Sequence, residues 1–336
     1  MIKKGWKHML LLSAFTMTLA GCGSSAGSST AATVPSTQAN TGSEAQAAGP
    51  ITIKHDGEDV TLDKPAERVV SLEWTYTENL IALGVQPVGN ADNVQYKQYI
   101  TSEAALDDGV TDVGMRGEPN LETIASLKPD LIIANATEDN KLYKQLQNIA
   151  PTIQFDLYSG DGYSYERMEE TFNRIAGAVG REDQAKKVLS DLDQHYADAK
   201  QKLEAAGKSD FHYALTQAFT SQNAATLRMF SDNSVVAGTL AKVGLINDWQ
   251  PEKMESYGFS TVGIEALKEV QDTNFLYITQ PDDEIFGTAM ADNTVWNGLN
   301  FVKEKRVYPL DSTLWTFGGP VSSKVLVDGV VGAIVK

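Results

Sequence analysis

The stretch Arg181 to Ala206, REDQAKKVLSDLDQHYADAKQKLEAA, constrains this chain more than any other. Its apolar residues Ala185, Val188, Leu189, Leu192, Tyr196, Ala199 and Leu203 advance in steps of three and four, which places them on one face of a helix of about seven turns. Gly180 ends a preceding helix over 166–179, and Gly207 ends this one. Alone, such a helix fits the solvated surface of a single domain. On each flank, however, short apolar strands alternate with amphipathic helices. The predicted class is therefore α/β, and the helix is a candidate beam joining two α/β lobes.

The amino terminus reads as an export leader over 1–21. Lys3, Lys4 and Lys7 precede an apolar run from Met9 to Ala20 that is too short to span a bilayer. It ends Leu19-Ala20-Gly21-Cys22, resembling the bacterial lipobox, so Cys22 is the expected lipidation site. Cys22 is the only cysteine; acylated, it leaves neither a disulfide nor a thiol nucleophile. Residues 22–49, rich in Ser, Ala, Gly, Thr and Gln, read as a flexible tether. The expected location is the extracytoplasmic face of the cell membrane, held by lipid alone.

Beyond the tether, the expected divisions are a lobe over 50–163, a helical segment over 164–206 and a second lobe over 207–336. In the first lobe, His55-Asp56-Gly57 signals a hairpin between Ile51–Ile53 and Val60–Leu62. Residues 68–72, 131–134 and 152–155 read as strands, and 77–83, 121–127 and 141–149 as helices, the second capped by Asn120. In the second lobe, strands are expected over 211–219, 226–230, 275–278 and 307–310, with helices over 235–243, 264–270 and 321–330. In parallel sheets, ligands collect at the carboxyl ends of strands. That rule points to Glu73, Trp74 and Tyr76 after one strand, and to Arg116 in the loop Gly114-Met115-Arg116-Gly117.

The net charge is −16 and becomes more negative once the leader lysines are gone, which argues against nucleic acid as a partner. It also makes the seven arginines informative. Arg167, Arg174 and Arg181 belong to the helical segment, Arg68 and Arg306 stand at strand starts, and Arg116 and Arg228 remain to be accounted for. No P-loop or HExxH zinc motif occurs, and Gly258-Phe259-Ser260-Thr261-Val262-Gly263 has one residue too many for a nucleophile elbow. His55, His195 and His212 are too scattered for a metal cluster, so no metal site and no catalytic residue is expected. Glu122 and Glu265 occupy matching first-turn positions, one per lobe, which a helix dipole alone would accommodate.

Pro65-Ala66-Glu67-Arg68-Val69-Val70 and the run from Pro119-Asn120-Leu121-Glu122 to Leu127-Lys128-Pro129-Asp130-Leu131-Ile132, together with lipobox, tether and linking helix, carry a resemblance. The chain resembles the class III, helical-backbone substrate-binding lipoproteins of ABC importers for ferric siderophores, haem and cobalamin. Within them it is most similar to the ferric citrate and citrate-hydroxamate lipoproteins of Gram-positive bacteria. The resemblance implies two α/β lobes joined by a single long helix, with a ligand cleft between them, in a non-enzymatic monomer that captures an iron(III)-siderophore and hands it to a permease and its ATPase. Glu122 and Glu265 would dock the permease, although Val262-Gly263-Ile264-Glu265 departs from the usual wording. Arg116 and Arg228 would hold the anionic ligand, with Glu73, Trp74, Trp315 and Tyr257 beside them. Guanidinium forks suit carboxylate and hydroxamate oxygens, and the chelator saturates the iron, so no cofactor is required. Haem or cobalamin is the alternative ligand, with Tyr76 or Tyr257 as a possible axial group; a secreted hydrolase lacks a visible nucleophile-base pair.

Overall fold

The chain enters its folded part through an antiparallel hairpin, β1 (Ile51–Ile53) and β2 (Val60–Leu62), as the turn residues predict. The computed structural model describes residues 49–100, 102–136, 140–160 and 162–335. The leader, Cys22 and all of the tether except Gly49 lie outside them.

The first lobe is built on five strands: β3 (Val69–Ser71), β4 (Gly89–Asn90), β5 (Thr111–Asp112), β6 (Leu131–Asn135) and β7 (Thr152–Phe155). They run in the order β5-β4-β3-β6-β7 and are parallel throughout. β3 and β6 are covered on both faces, which is why they read as unbroken apolar runs. Four helices connect the strands: α1 (Trp74–Ala82), α2 (Asn93–Tyr99), α3 (Leu121–Ser126) and α4 (Lys141–Gln147). Asn120 caps α3 as predicted, accepting from the Thr123 N–H. α1 starts three residues earlier than expected, because the Glu73 carboxylate accepts from the Trp74 N–H and serves as its N-cap.

Next come α5 (Tyr165–Ala178) and the long α6 (Glu182–Ala205), separated at Gly180, whose φ of 63° is left-handed. The predicted stripe is the buried face of α6: Ala185, Leu192, Tyr196, Ala199 and Leu203. Near its start, Gln184 donates to the Ala82 carbonyl at the end of α1; further along, Lys200 lies beside Gly244 of the second lobe.

That lobe carries β8 (His212–Ser221), β9 (Ala224–Phe230), β10 (Ile246–Asn247), β11 (Phe259–Val262), β12 (Asn274–Ile278) and β13 (Val307–Leu310). Its helices are α7 (Val235–Lys242), α8 (Thr294–Gly298), α9 (Asn300–Lys303) and α10 (Pro320–Ile334). The sheet order is β11-β9-β8-β12-β13, with β10 along the start of β8. It is mixed: β10, β8, β12 and β13 are parallel neighbours, while β9 and β11 extend the sheet antiparallel. The run resembling a nucleophile elbow is thus the edge strand β11. The helix expected over Ile264–Val270 is present with those bounds, in 3-10 form.

One apolar cluster passes through both lobes, from Val69, Leu131 and Ile133 through Leu80, Phe172 and Leu192 to Leu215, Leu276, Val327 and Val330. Burial of each such large side chain contributes about 1.5–3 kcal/mol. A buried polar clasp reinforces it. Glu78 of α1, with no exposed surface, accepts from Gly319 N (2.9 Å), Ser322 N (2.8 Å) and Ser322 Oγ (2.5 Å), so a carboxylate of one lobe caps the amino end of α10 in the other. Thr75 Oγ1 donates to the Phe317 carbonyl at 2.6 Å. Gly318 and Gly319 permit the approach: a Cβ would lie 2.5 Å from Glu78 Oε2 at the first and 2.0 Å from Asn79 Oδ1 at the second.

Candidate ligand-binding cleft

Between the lobes lies a cleft of about 670 Å³, lined by Glu73, Arg116 and Tyr158 from the first lobe and by residues of β8, β9, β11 and the Trp315–Phe317 segment from the second. A smaller cavity of about 320 Å³ adjoins it and shares Arg116, Phe219, Arg228 and Trp315. Both lie in or near the size range of small-ligand sites.

The first wall consists of strand ends. Glu73 follows β3, Asp92 follows β4, Arg116 follows β5, Asn135 ends β6 and Tyr158 follows β7. The buried Glu73 carboxylate is fully engaged: Oε1 accepts from Trp74 N (2.8 Å) and Arg116 Nη1 (3.0 Å), and Oε2 accepts from Asn135 Nδ2 (2.9 Å). Asn135 Oδ1 in turn accepts from the Tyr76 hydroxyl at 2.5 Å. Asp92 Oδ2 takes both the backbone N–H (3.1 Å) and Nε (3.3 Å) of Arg116. The Arg116 guanidinium also lies 3.8 Å above the Trp74 ring, which is 3% exposed. Trp74 is therefore helical and packed as the support of Arg116, not a loop aromatic; it borders only the smaller cavity. Tyr76 is fully buried, and burial followed by the Glu73 charge pushes its hydroxyl well above the ordinary tyrosine value. It is not available as an axial ligand to haem.

The second wall is one face of an antiparallel sheet. Phe219 and Ser221 of β8, Thr226 and Arg228 of β9, and Phe259 and Thr261 of β11 alternate along their strands and all border the cleft. Ala218, Leu227 and Met229, each next in sequence to one of these residues, belong to the core cluster beneath. Arg228 stands opposite Gln217 on one side and Thr261 on the other. Its Nη1 donates to Gln217 Oε1 at 3.2 Å, and its guanidinium carbon lies 5.0 Å and 5.2 Å from the Phe219 and Phe259 rings. Among the described residues, no carboxylate is paired with it. Burial holds its pKa below the usual arginine value.

An aromatic chain closes the base. Trp315 is 5.1 Å from Trp74 and 5.5 Å from Phe317, Phe317 is 5.9 Å from Phe259, and Tyr158 stacks on Tyr257 at 4.9 Å and 25°. Tyr257 remains 56% exposed at the rim. Burial and the neighbouring Glu73 charge raise the Tyr158 hydroxyl far above the ordinary range, so it stays protonated. Among the described residues, no group of three or more His, Cys, Asp or Glu could hold a metal ion.

A model of the family described as periplasmic binding protein matches residues 69–314. The chain belongs to that family. The Fe(3+)-citrate-binding protein YfmC of Bacillus subtilis (strain 168) is 31% identical over 291 residues, spanning 86% of this chain and 88% of its own. The iron(3+)-hydroxamate-binding protein FhuD of Escherichia coli (strain K12) is 27% identical over 256 residues, 76% of this chain and 83% of its own. Among solved structures, the siderophore-binding protein FhuD of Vibrio cholerae bound to Fe3+-Desferal superposes with a TM-score of 0.71 at 25% identity, covering 80% of this chain and 98% of that one.

Glu73, Arg116, Arg228, Trp315 and Tyr257 converge on the cleft, while Glu122 and Glu265 lie elsewhere, exposed and without a hydrogen-bonded partner among the described residues. Sequence reasoning missed Asp92, Asn135, Tyr158, Phe219, Phe259 and Phe317. Asp92, Asn135 and Tyr158 sit at strand ends, so the carboxyl-end rule applied to every strand would have raised them.

Proposed function

We propose that this protein is the substrate-binding component of an ABC importer, taking an iron(III)-siderophore of the citrate-based hydroxamate or carboxylate type and carrying out no chemistry of its own. The observation that carries the reading is a cleft of ligand size, with one guanidinium and several aromatic faces on each side and no metal-ligating cluster among the described residues. Such walls suit a chelate whose iron is already saturated and whose outward oxygens accept hydrogen bonds. The named ligands of the relatives support the same class.

In this reading, 50–163 and 207–336 are the lobes, joined through 164–206, and Arg116, Arg228, Trp315 and Tyr257 face the ligand. Glu122 and Glu265, exposed and unpaired among the described residues, offer one carboxylate per lobe to a permease. Among the described residues, no helix is long and apolar enough to cross a membrane, and acylated Cys22 would supply the anchor. The test is a tryptophan-fluorescence titration of the domain beginning after Cys22 with ferric citrate, citrate-hydroxamate, trihydroxamate and catecholate chelates, haem and cobalamin. Saturation by the citrate-based group is expected. Saturation by haem or cobalamin alone would replace the ligand, and silence across the panel would remove the receptor reading.

A further inference from the structure

The ionised groups of the cleft are unevenly divided. Arg116 lies between two carboxylates, 3.0 Å from Glu73 and 3.3 Å from Asp92, whose side chains are only 7% and 18% exposed. Solvent screens such contacts weakly, so Arg116 can donate N–H groups to a ligand but brings no surplus charge. Among the described residues, Arg228 meets the Gln217 amide oxygen and two phenyl faces. One guanidinium against two carboxylates leaves the first wall net negative, while the positive charge of Arg228 on the second wall faces no paired carboxylate among the described residues.

We propose that Glu73 and Asp92 set the charge preference of the cleft: a singly anionic ferric complex is held more tightly than a multiply charged polycarboxylate complex. This rests on the ferric-siderophore reading. Two hydroxamates and one doubly deprotonated α-hydroxycarboxylate around iron(III) leave a single negative charge. Three hydroxamates leave none, whereas two fully ionised citrates leave several. The single charge matches Arg228. Each further negative charge would approach Glu73 and Asp92 with no cation in surplus, which repels it and lowers affinity. Arg116 is thereby a geometric donor and Arg228 the charge partner, although the sequence presents them as equivalent.

The experiment measures dissociation constants of wild type, Asp92→Asn and Glu73→Gln for three ferric chelates: a neutral trihydroxamate, a dihydroxamate-citrate and dicitrate, each at low and high salt. Asn suits position 92, where φ is 56° and the backbone is left-handed. Wild type should prefer the dihydroxamate-citrate. Each variant should shift the dicitrate to dihydroxamate-citrate ratio roughly tenfold toward dicitrate, and high salt should shrink the shift. If Glu73→Gln fails to fold, Asp92→Asn decides alone. Binding with an unchanged ratio, or dicitrate tightest in wild type, overturns charge selection while leaving the receptor standing. No binding of any chelate overturns the receptor reading and this inference with it.

Discussion

The two walls of the cleft are made from different parts of a sheet. The first lobe offers the carboxyl ends of parallel strands, and the second offers the flat face of an antiparallel extension. At the ends of four strands, polar residues meet and bond one another before any ligand arrives: Glu73, Asp92, Arg116, Asn135 and Tyr76 are all engaged. On a sheet face, the period of two delivers Phe219, Arg228 and Phe259 side by side, with little polar company. One wall is a preorganised polar network, and the other is an aromatic surface with a cation whose charge is unspent. Similar alternations of strand and helix can therefore yield chemically different surfaces, depending on which edge of the sheet is extended.

The largest effect should come from the clasp that holds the walls in register. Glu78→Ala would leave Gly319 N, Ser322 N and Ser322 Oγ buried without an acceptor, a loss of about 3 kcal/mol in unfolding free energy by denaturant titration. A loss below about 1 kcal/mol would mean the lobes are held by apolar packing alone. The arginines should then separate. Arg228→Ala should weaken chelate binding roughly thirtyfold, by about 2 kcal/mol, with an unchanged melting temperature, since no carboxylate depends on it. Arg116→Ala should cost about 1 kcal/mol in binding and a similar amount in stability, because Glu73 loses a partner while buried. Equal behaviour of the two in calorimetry would erase the contrast between the walls.

Much of this was legible in the chain. The stripe from Ala185 to Leu203, the stops at Gly180 and Gly207 and the strands at 152–155 and 307–310 follow from local periodicity and turn chemistry, and the structure agrees. Arg116 and Arg228 could be singled out because arginine is scarce in an acidic chain. What could not be read is pairing across distance. Nothing local says that Glu73 will bond Arg116, or that Glu78 will cap a helix beginning at Pro320, since those contacts exist only once the sheets are assembled. The earlier start of α1 at Trp74 is different in kind: its cap is the adjacent Glu73, a local signal that the helix reading from residue 77 did not use. β4, β5 and β10, two residues each, are too short for any alternation to show.

The smallest expected effect tests the clasp by pH. Burial pushes the Glu78 carboxyl above its ordinary value, against the opposing hydrogen bonds from Ser322 and the backbone N–H groups. The folded protein then holds this proton where the unfolded chain has released it. The stability from this group is complete below the ordinary carboxylate range and declines as pH rises through the raised value. Glu78→Gln keeps an acceptor at Oε1 but does not titrate. The melting temperature of wild type minus that of Glu78→Gln, followed from about pH 4 to about pH 8, should therefore be most favourable to wild type at the acid end and fall with rising pH. A flat difference would show that Glu78 titrates alike in the folded and unfolded chains. The hydrogen bonds from Ser322 and the backbone N–H groups would then offset the cost of burying the charge in full.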